Sequence, residues 1–195
     1  MKIIGVAAVP MDAVFGLRGG MPWAGTVPLD MKRFASLTLP KNGGDSTAVV
    51  MGRETWYSLP EKYRPLPNRR NIVLSSTIKR IDGVAICRSL ENAIALCEGE
   101  GHDQVSIIGG KVLITEAANK GYLESLYVTV IGKEYLPQNH VLVGSPADHG
   151  YVLFPELLMV ERVWPGLKSV WSEKLAQPQK SGSGITLEFI DYQKK

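Results

Sequence analysis

The sequence predicts an α/β domain with a largely parallel sheet and an antiparallel edge. Two observations predict it. Short apolar runs alternate with amphipathic segments as far as about residue 130, and beyond that the chain reads mostly as strands joined by turns. The early runs are apolar without interruption, as strands covered on both faces require. At 195 residues and 45% hydrophobic, the chain is sized for one globular domain, 1–195, with a full core, and it contains no linker.

The elements follow in order. Ile3 to Val9, closed by Pro10, reads as a buried strand. MDAVFGLRGGMPW is glycine-rich and still carries large apolar groups, so it reads as a mobile loop of the kind that covers a ligand. Asp30 to Leu37 reads as a helix with Met31, Phe34 and Leu37 on its apolar stripe and Lys32, Arg33 and Ser36 mostly off it. Asp30 precedes Phe34 by one turn, so the two share a face. KNGGDS is a turn and Thr47 to Met51 a second strand, from which Gly52 opens a helix through Leu59. Asn71 to Ser75 is a third strand. Leu90 to Cys97 is an amphipathic helix with Ser89 as N-cap and Gly99 near its end. Gln104 to Ile108 is a strand, Lys111 to Asn119 a helix ended by Gly121, and LYVTVI, Leu126 to Ile131, an alternating β-branched strand. The remainder, with the SGSG turn and ITLEFIDY, reads as late strands.

Composition excludes several classes. A net charge of +3 permits an acidic small molecule but argues against nucleic acid. Cys87 and Cys97 are the only cysteines, and they read as two reduced thiols rather than a disulfide framework or a zinc site. His102, His140 and His149 are scattered among polar residues and read as surface histidines. No stretch approaches the ~20 apolar residues of a membrane helix. The N-terminus lacks a basic leader and a small-residue cleavage site, so a cytoplasmic location is expected.

Two strand-to-helix joints are suited to phosphate. In VVMGRETW, Gly52 permits a close turn while Arg53 and Thr55 sit at a helix start, where free N–H groups and the helix dipole favour an anion. In SIIGGKVL, Gly109 and Gly110 let the backbone approach a ligand. Each is also the chemistry of a plain tight turn. Together they favour a dinucleotide with two phosphate regions, and the six-residue glycine fingerprint of the common dinucleotide fold is absent. Ser75 and Ser76, near Lys79 and Arg80, fit either a further phosphate or a solvated turn. In PLPNRRNIVL, Arg69 and Arg70 fit either a carboxylate clamp or a surface pair. Asp30 alone reads first as a helix N-cap or first-turn acid, with a functional carboxylate as the alternative.

The order of GMPW, LDMKRF, VVMGRETW, RPLPNRRNIVLS, IIGG, LYVTVI and LFPE resembles dihydrofolate reductase, and the likeness runs from IIGVAAV to FIDYQKK. The resemblance implies a mixed, mostly parallel eight-stranded sheet flanked by helices. It implies reduction of 7,8-dihydrofolate to tetrahydrofolate with NADPH, by hydride transfer to C6 and protonation at N5. On this chain the active-site carboxylate falls on Asp30, its partner threonine on Thr129, the ring-stacking aromatic on Phe34, and the lid on Gly16 to Trp23, with Met21 and Trp23 beside the chemistry. The clamp for the glutamate-tail carboxylate falls on Arg69. Val6, Ala8 and Leu66 fall on pocket walls, and Ile108 by the nicotinamide. Cofactor contacts fall on Ala8, Gly16, Gly52, Arg53, Thr55, Ser75, Ser76, Ile108, Gly109, Gly110, Lys111 and Val112. The resemblance further implies a monomer that binds diaminopyrimidine or pteridine antifolates, with no metal, no nucleic acid and no membrane partner.

Three features depart from the family pattern. Six residues separate Trp23 from Asp30, two more than bacterial members usually have. Glu54 stands beside Arg53 where many members carry a basic or neutral residue, which bears on the preference for NADPH over NADH. Ile114 replaces a tyrosine near the nicotinamide. The rival readings are a same-fold reductase of another pterin or a pyrimidine, and a weakly catalytic nucleotide-binding module. Arg69 and Phe34 favour folate over the first. Asp30 and Thr129 speak against the second.

Overall fold

The structure is a computed structural model. It describes residues 1–10, 14–17, 27–44, 46–132, 151–153, 171–175, 179–180 and 184–194. Met21, Trp23, His140 and His149 lie outside these residues, as do 24–26 of the lengthened segment and 154–156 of the LFPE motif.

The chain forms two compact units, Met1–Val6 with Phe34–Leu126, and Ala7–Arg33 with Tyr127–Lys195. The first is a parallel sheet with helices. The start of β1 (Lys2–Pro10) pairs with β6 (Gln104–Gly109), β6 with β3 (Thr47–Gly52), β3 with β4 (Arg70–Leu74), and β4 with β5 (Ala85–Cys87), all parallel. Ala48, Val49, Val50 and Met51 of β3 are fully buried, which accounts for its unbroken apolar run. β5 went unnoticed in the sequence because three residues carry no readable period.

Helices follow three of these strands: α2 (Arg53–Ser58) after β3, α3 (Leu90–Gly99) after β5 and α4 (Lys111–Asn119) after β6. Ser89 caps α3, its side chain accepting the Asn92 N–H at 3.2 Å, as the sequence predicts. Gly99 is the last residue of the helix, as expected. Gly101 takes the left-handed turn at φ +75°. The Gly101 N–H then reaches the Glu98 carbonyl and the His102 N–H the Cys97 carbonyl, closing the last turn. The same pair of bonds, through Gly121 and Tyr122, ends α4.

That ending corrects the reading of His102 as a surface residue. Its ring lies between Ser46 Oγ, 2.6 Å from Nδ1, and Glu100 Oε2, 3.0 Å from Nε2, while Arg70 donates twice to Glu100. The histidine follows directly on the helix-ending turn, so its side chain is carried inward. Cys87 and Cys97 are free and buried, and burial pushes the Cys97 thiol up to about 12.

In the second unit, β11 (Thr186–Lys194) pairs antiparallel with β10 (Gln179–Lys180) and β9 (Trp171–Leu175). β2 (Val14–Leu17) and β8 (Tyr151–Leu153) form a separate antiparallel pair. Part of the segment expected to be loop is therefore strand, and Gly16 lies in β2. Val27, Ile131, Ile185 and Leu187 make the core of this unit, with Ala8, Leu29 and Phe189 packed against it.

Two strands run through both units: β1, and β7 (Ser125–Ile131). The hydrogen-bonded order is β10-β11-β7-β1-β6-β3-β4-β5, with β9 also on β11. The sheet is mixed and mostly parallel, as expected. Its strand count is nine among the described residues rather than eight, because β9 adds to β11 beside the main path. Helix α1 (Pro28–Thr38) also crosses the unit boundary. Among the described residues no helix is long and apolar enough to cross a membrane.

Candidate functional site

In a parallel sheet the strands end along one edge, where loops are free to shape a site. Here β6, β3 and β4 end side by side, with Met51 opposite Gly109 and Gly52 opposite Leu74. The two glycine joints are thereby brought into contact. A Cβ on Gly109 would meet Thr55 Oγ1 at 3.0 Å, and one on Gly52 would lie 3.7 Å from the Gly110 nitrogen. Gly109 has φ +139°, a backbone conformation that side chains oppose. Gly109→Ala should therefore cost about 1–3 kcal/mol and weaken dinucleotide binding. Denaturant unfolding and a cofactor titration check the two effects.

Arg53 and the turn after β4 complete this edge. Arg53 donates to Glu54 Oε1 from Nε at 2.8 Å and approaches the same oxygen with Nη2 at 2.6 Å. Its Nη1 reaches Thr77 Oγ1 at 3.1 Å. Ser75 is buried, and its Oγ accepts the N–H groups of Thr77 (3.2 Å) and Ile78 (3.0 Å). Arg88 Nη1 donates to the carbonyls of Ser75 and Ile78. Ser75 thus shapes the turn from within, while Ser76 and Thr77 are exposed. Thr77 and Arg88 were missed in the sequence, although Thr77 directly follows the two serines. Lys111 is half-buried at the start of α4, and Val112 beside it is exposed.

A second group lies in the same unit. Phe34, half-buried on α1, packs with Ile108 against Val49, Met51, Trp56, Leu66 and Val73. The Arg69 guanidinium lies 5.7 Å from the Phe34 ring centre. Arg69 Nη1 donates to Thr38 Oγ1 at 2.5 Å and Nε to the Pro67 carbonyl at 3.0 Å, while Thr38 Oγ1 donates to the Phe34 carbonyl at 2.8 Å. Burial lowers the Arg69 pKa from its ordinary value. Arg70 turns away to Glu100, so the two arginines separate in role.

Asn71, fully enclosed, fixes the loop that presents Arg69. It accepts the Leu66 N–H at 2.9 Å and donates to the carbonyls of Leu66 (2.8 Å) and Arg69 (2.9 Å). Asn71→Ala leaves buried backbone groups unpaired. It should cost about 2–4 kcal/mol, read by denaturant unfolding.

In the second unit, Asp30 is buried at 7% exposure in the first turn of α1, where the helix amides favour a carboxylate. Thr129 on β7 is buried at 3% exposure. The face of α1 differs from the expected stripe. Met31 is exposed, and the buried residues are Asp30 and, about two turns on, Thr38, with half-buried Phe34 midway between them. Arg33 is also turned inward. It pairs with Asp191 and stacks over Phe189, 4.4 Å from the ring centre. Aromatic partners far along the chain could not be seen from helix periodicity alone. Val6 is buried and Ala8 half-buried on β1.

The family model described as dihydrofolate reductase matches residues 2–141. The dihydrofolate reductase of Schistosoma mansoni is 33% identical over 98% of this chain and 96% of its own length. The Sus scrofa dihydrofolate reductase is 38% identical over 67% of this chain and 73% of its own. The chain belongs to the dihydrofolate reductase family. It also spans 24% of the bifunctional dihydrofolate reductase-thymidylate synthase 2 of Arabidopsis thaliana, at 37% identity. Membership in the dihydrofolate reductase family carries an oxidoreductase reaction, dihydrofolate to tetrahydrofolate, that uses a nicotinamide cofactor. The glycine joints, Arg53 and the β4 turn offer a dinucleotide a cradle that side chains would fill, together with a cation.

Proposed function

We propose that this dihydrofolate reductase uses NADPH, passing hydride to C6 of 7,8-dihydrofolate with protonation at N5. The observation that carries the reading is one helix face. Buried Asp30 is followed one turn later by Phe34, and Arg69 lies against the Phe34 ring.

Each side chain has a task that fits its surroundings. A buried carboxylate needs donors. A pterin supplies two side by side, its amino group and a ring N–H, and Asp30 accepts both. Thr129 shares the remaining polar demand. Phe34 stacks on the ring, Val6, Ala8, Leu66 and Ile108 wall it, and Arg69 clamps the α-carboxylate of the glutamate tail. Asp30 so oriented favours a proton at N5, which water delivers; the resemblance assigns Met21 and Trp23 to this step, and Gly16 to the cofactor. Arg53, Thr55, Ser75, Ser76, Gly52, Gly109, Gly110, Lys111 and Val112 hold the dinucleotide along the edge of β6, β3 and β4. When bound, the nicotinamide supplies the hydride, and the protein supplies position and dryness.

Diaminopyrimidines present the same paired donors and should bind at Asp30. A monomer in the cytoplasm fits the reading, and two free buried thiols are consistent with a reducing compartment. The test is product identification. Incubation with dihydrofolate and NADPH should yield tetrahydrofolate in step with oxidised cofactor. Reduction of another pterin or of a pyrimidine instead would replace the assignment.

A further inference from the structure

We infer that Glu54 sets the cofactor preference of this chain by occupying the guanidinium of Arg53, so that the 2′-phosphate of NADPH must compete with a built-in carboxylate. The inference rests on the dinucleotide site proposed above. Glu54 takes the Nε–Nη2 edge of Arg53 with a single oxygen, at 2.8 and 2.6 Å. That edge is the fork by which arginine grips a phosphate with two parallel bonds. The remaining Nη1 is already held by Thr77 Oγ1 at 3.1 Å. Arg53 therefore stands exposed at the start of α2, just beyond β3, with three of its five N–H donors engaged.

The two cofactors meet this pair differently. NADPH brings a phosphate dianion that Glu54 repels and that must displace it from Arg53. NADH brings a ribose 2′-hydroxyl, for which a carboxylate is a good acceptor, whereas an arginine suits the 2′-phosphate. Arg53 and Glu54 thus pull toward opposite cofactors from adjacent positions. The glutamate side chain is 82% exposed, so it gives way to the phosphate at modest cost. The result is a narrowed preference rather than a reversed one.

The test is equilibrium binding, read by fluorescence titration without folate. NADPH, NADH, 2′,5′-ADP and 5′-AMP are titrated into the wild type, Glu54→Gln, Arg53→Met and the double variant. Glu54→Gln should tighten NADPH and 2′,5′-ADP by about fivefold, the scale of an exposed ion pair. It should leave NADH and 5′-AMP unchanged or weaker, and Arg53→Met should cancel the gain. Equal tightening of both cofactors, or no change in a variant shown to be folded by circular dichroism, overturns the inference. Dihydrofolate reduction accompanied by an unchanged binding ratio overturns it alone. Absence of binding by any variant to either dinucleotide overturns the site reading as well.

Discussion

Asp30→Asn should bind dihydrofolate more weakly and reduce it about 10²–10⁴-fold more slowly at neutral pH, the usual reach of one acid–base group. The deficit should shrink as pH falls. The carboxylate is needed to favour a proton on the pterin, and a substrate protonated beforehand needs it less. The amide keeps the shape and one acceptor but loses the charge. Its folding cost should be small, about 0.3–1 kcal/mol from the lost first-turn acid. A pH profile of kcat/KM for both proteins, with thermal unfolding alongside, measures this. Equal turnover at neutral pH would remove Asp30 from the chemistry.

Arg69→Leu should raise the KM for dihydrofolate by the equivalent of about 1.5–3 kcal/mol, one charged hydrogen bond, and leave NADPH affinity unchanged. The arginine also donates to Thr38 and Pro67, so some stability should be lost with it. A pteridine without the glutamate tail separates the two effects. Such a substrate should lose little. If it loses as much as dihydrofolate, Arg69 supports the loop and clamps nothing.

The parallel half of the fold was legible because its strands are buried on both faces and write themselves as continuous apolar runs. Thr47 to Met51 and Gln104 to Ile108 were placed within a residue of where they lie. Helix ends were harder. Gly99 is the last residue of α3, but the left-handed turn that closes the helix is on Gly101, and only the backbone bonds of Gly101 and His102 show it. The inward placing of the His102 side chain follows from that turn. β9 and β10 are short pieces whose partner, β11, must be known before they can be counted.

The candidate site was legible where one motif holds both the residue and its reason, as in VVMGRETW and the two glycines of IIGG. It was not legible where the supporting partner is distant. Arg33 meets Asp191 and Phe189 from another part of the chain, so α1 alone misassigned its faces. Asn71 was read only as the first residue of a strand, yet its amide fixes the Leu66–Arg69 loop. The roles of Asp30 and Arg69 came from the family resemblance, since each residue alone fits an ordinary structural use.

The most direct measurement is dihydrofolate-dependent oxidation of NADPH by the wild type and by Asp30→Asn, run side by side at neutral pH. Turnover that requires dihydrofolate and collapses in the variant is the expected result. Turnover that survives in Asp30→Asn, or cofactor that binds and is never oxidised when dihydrofolate is present, would contradict it.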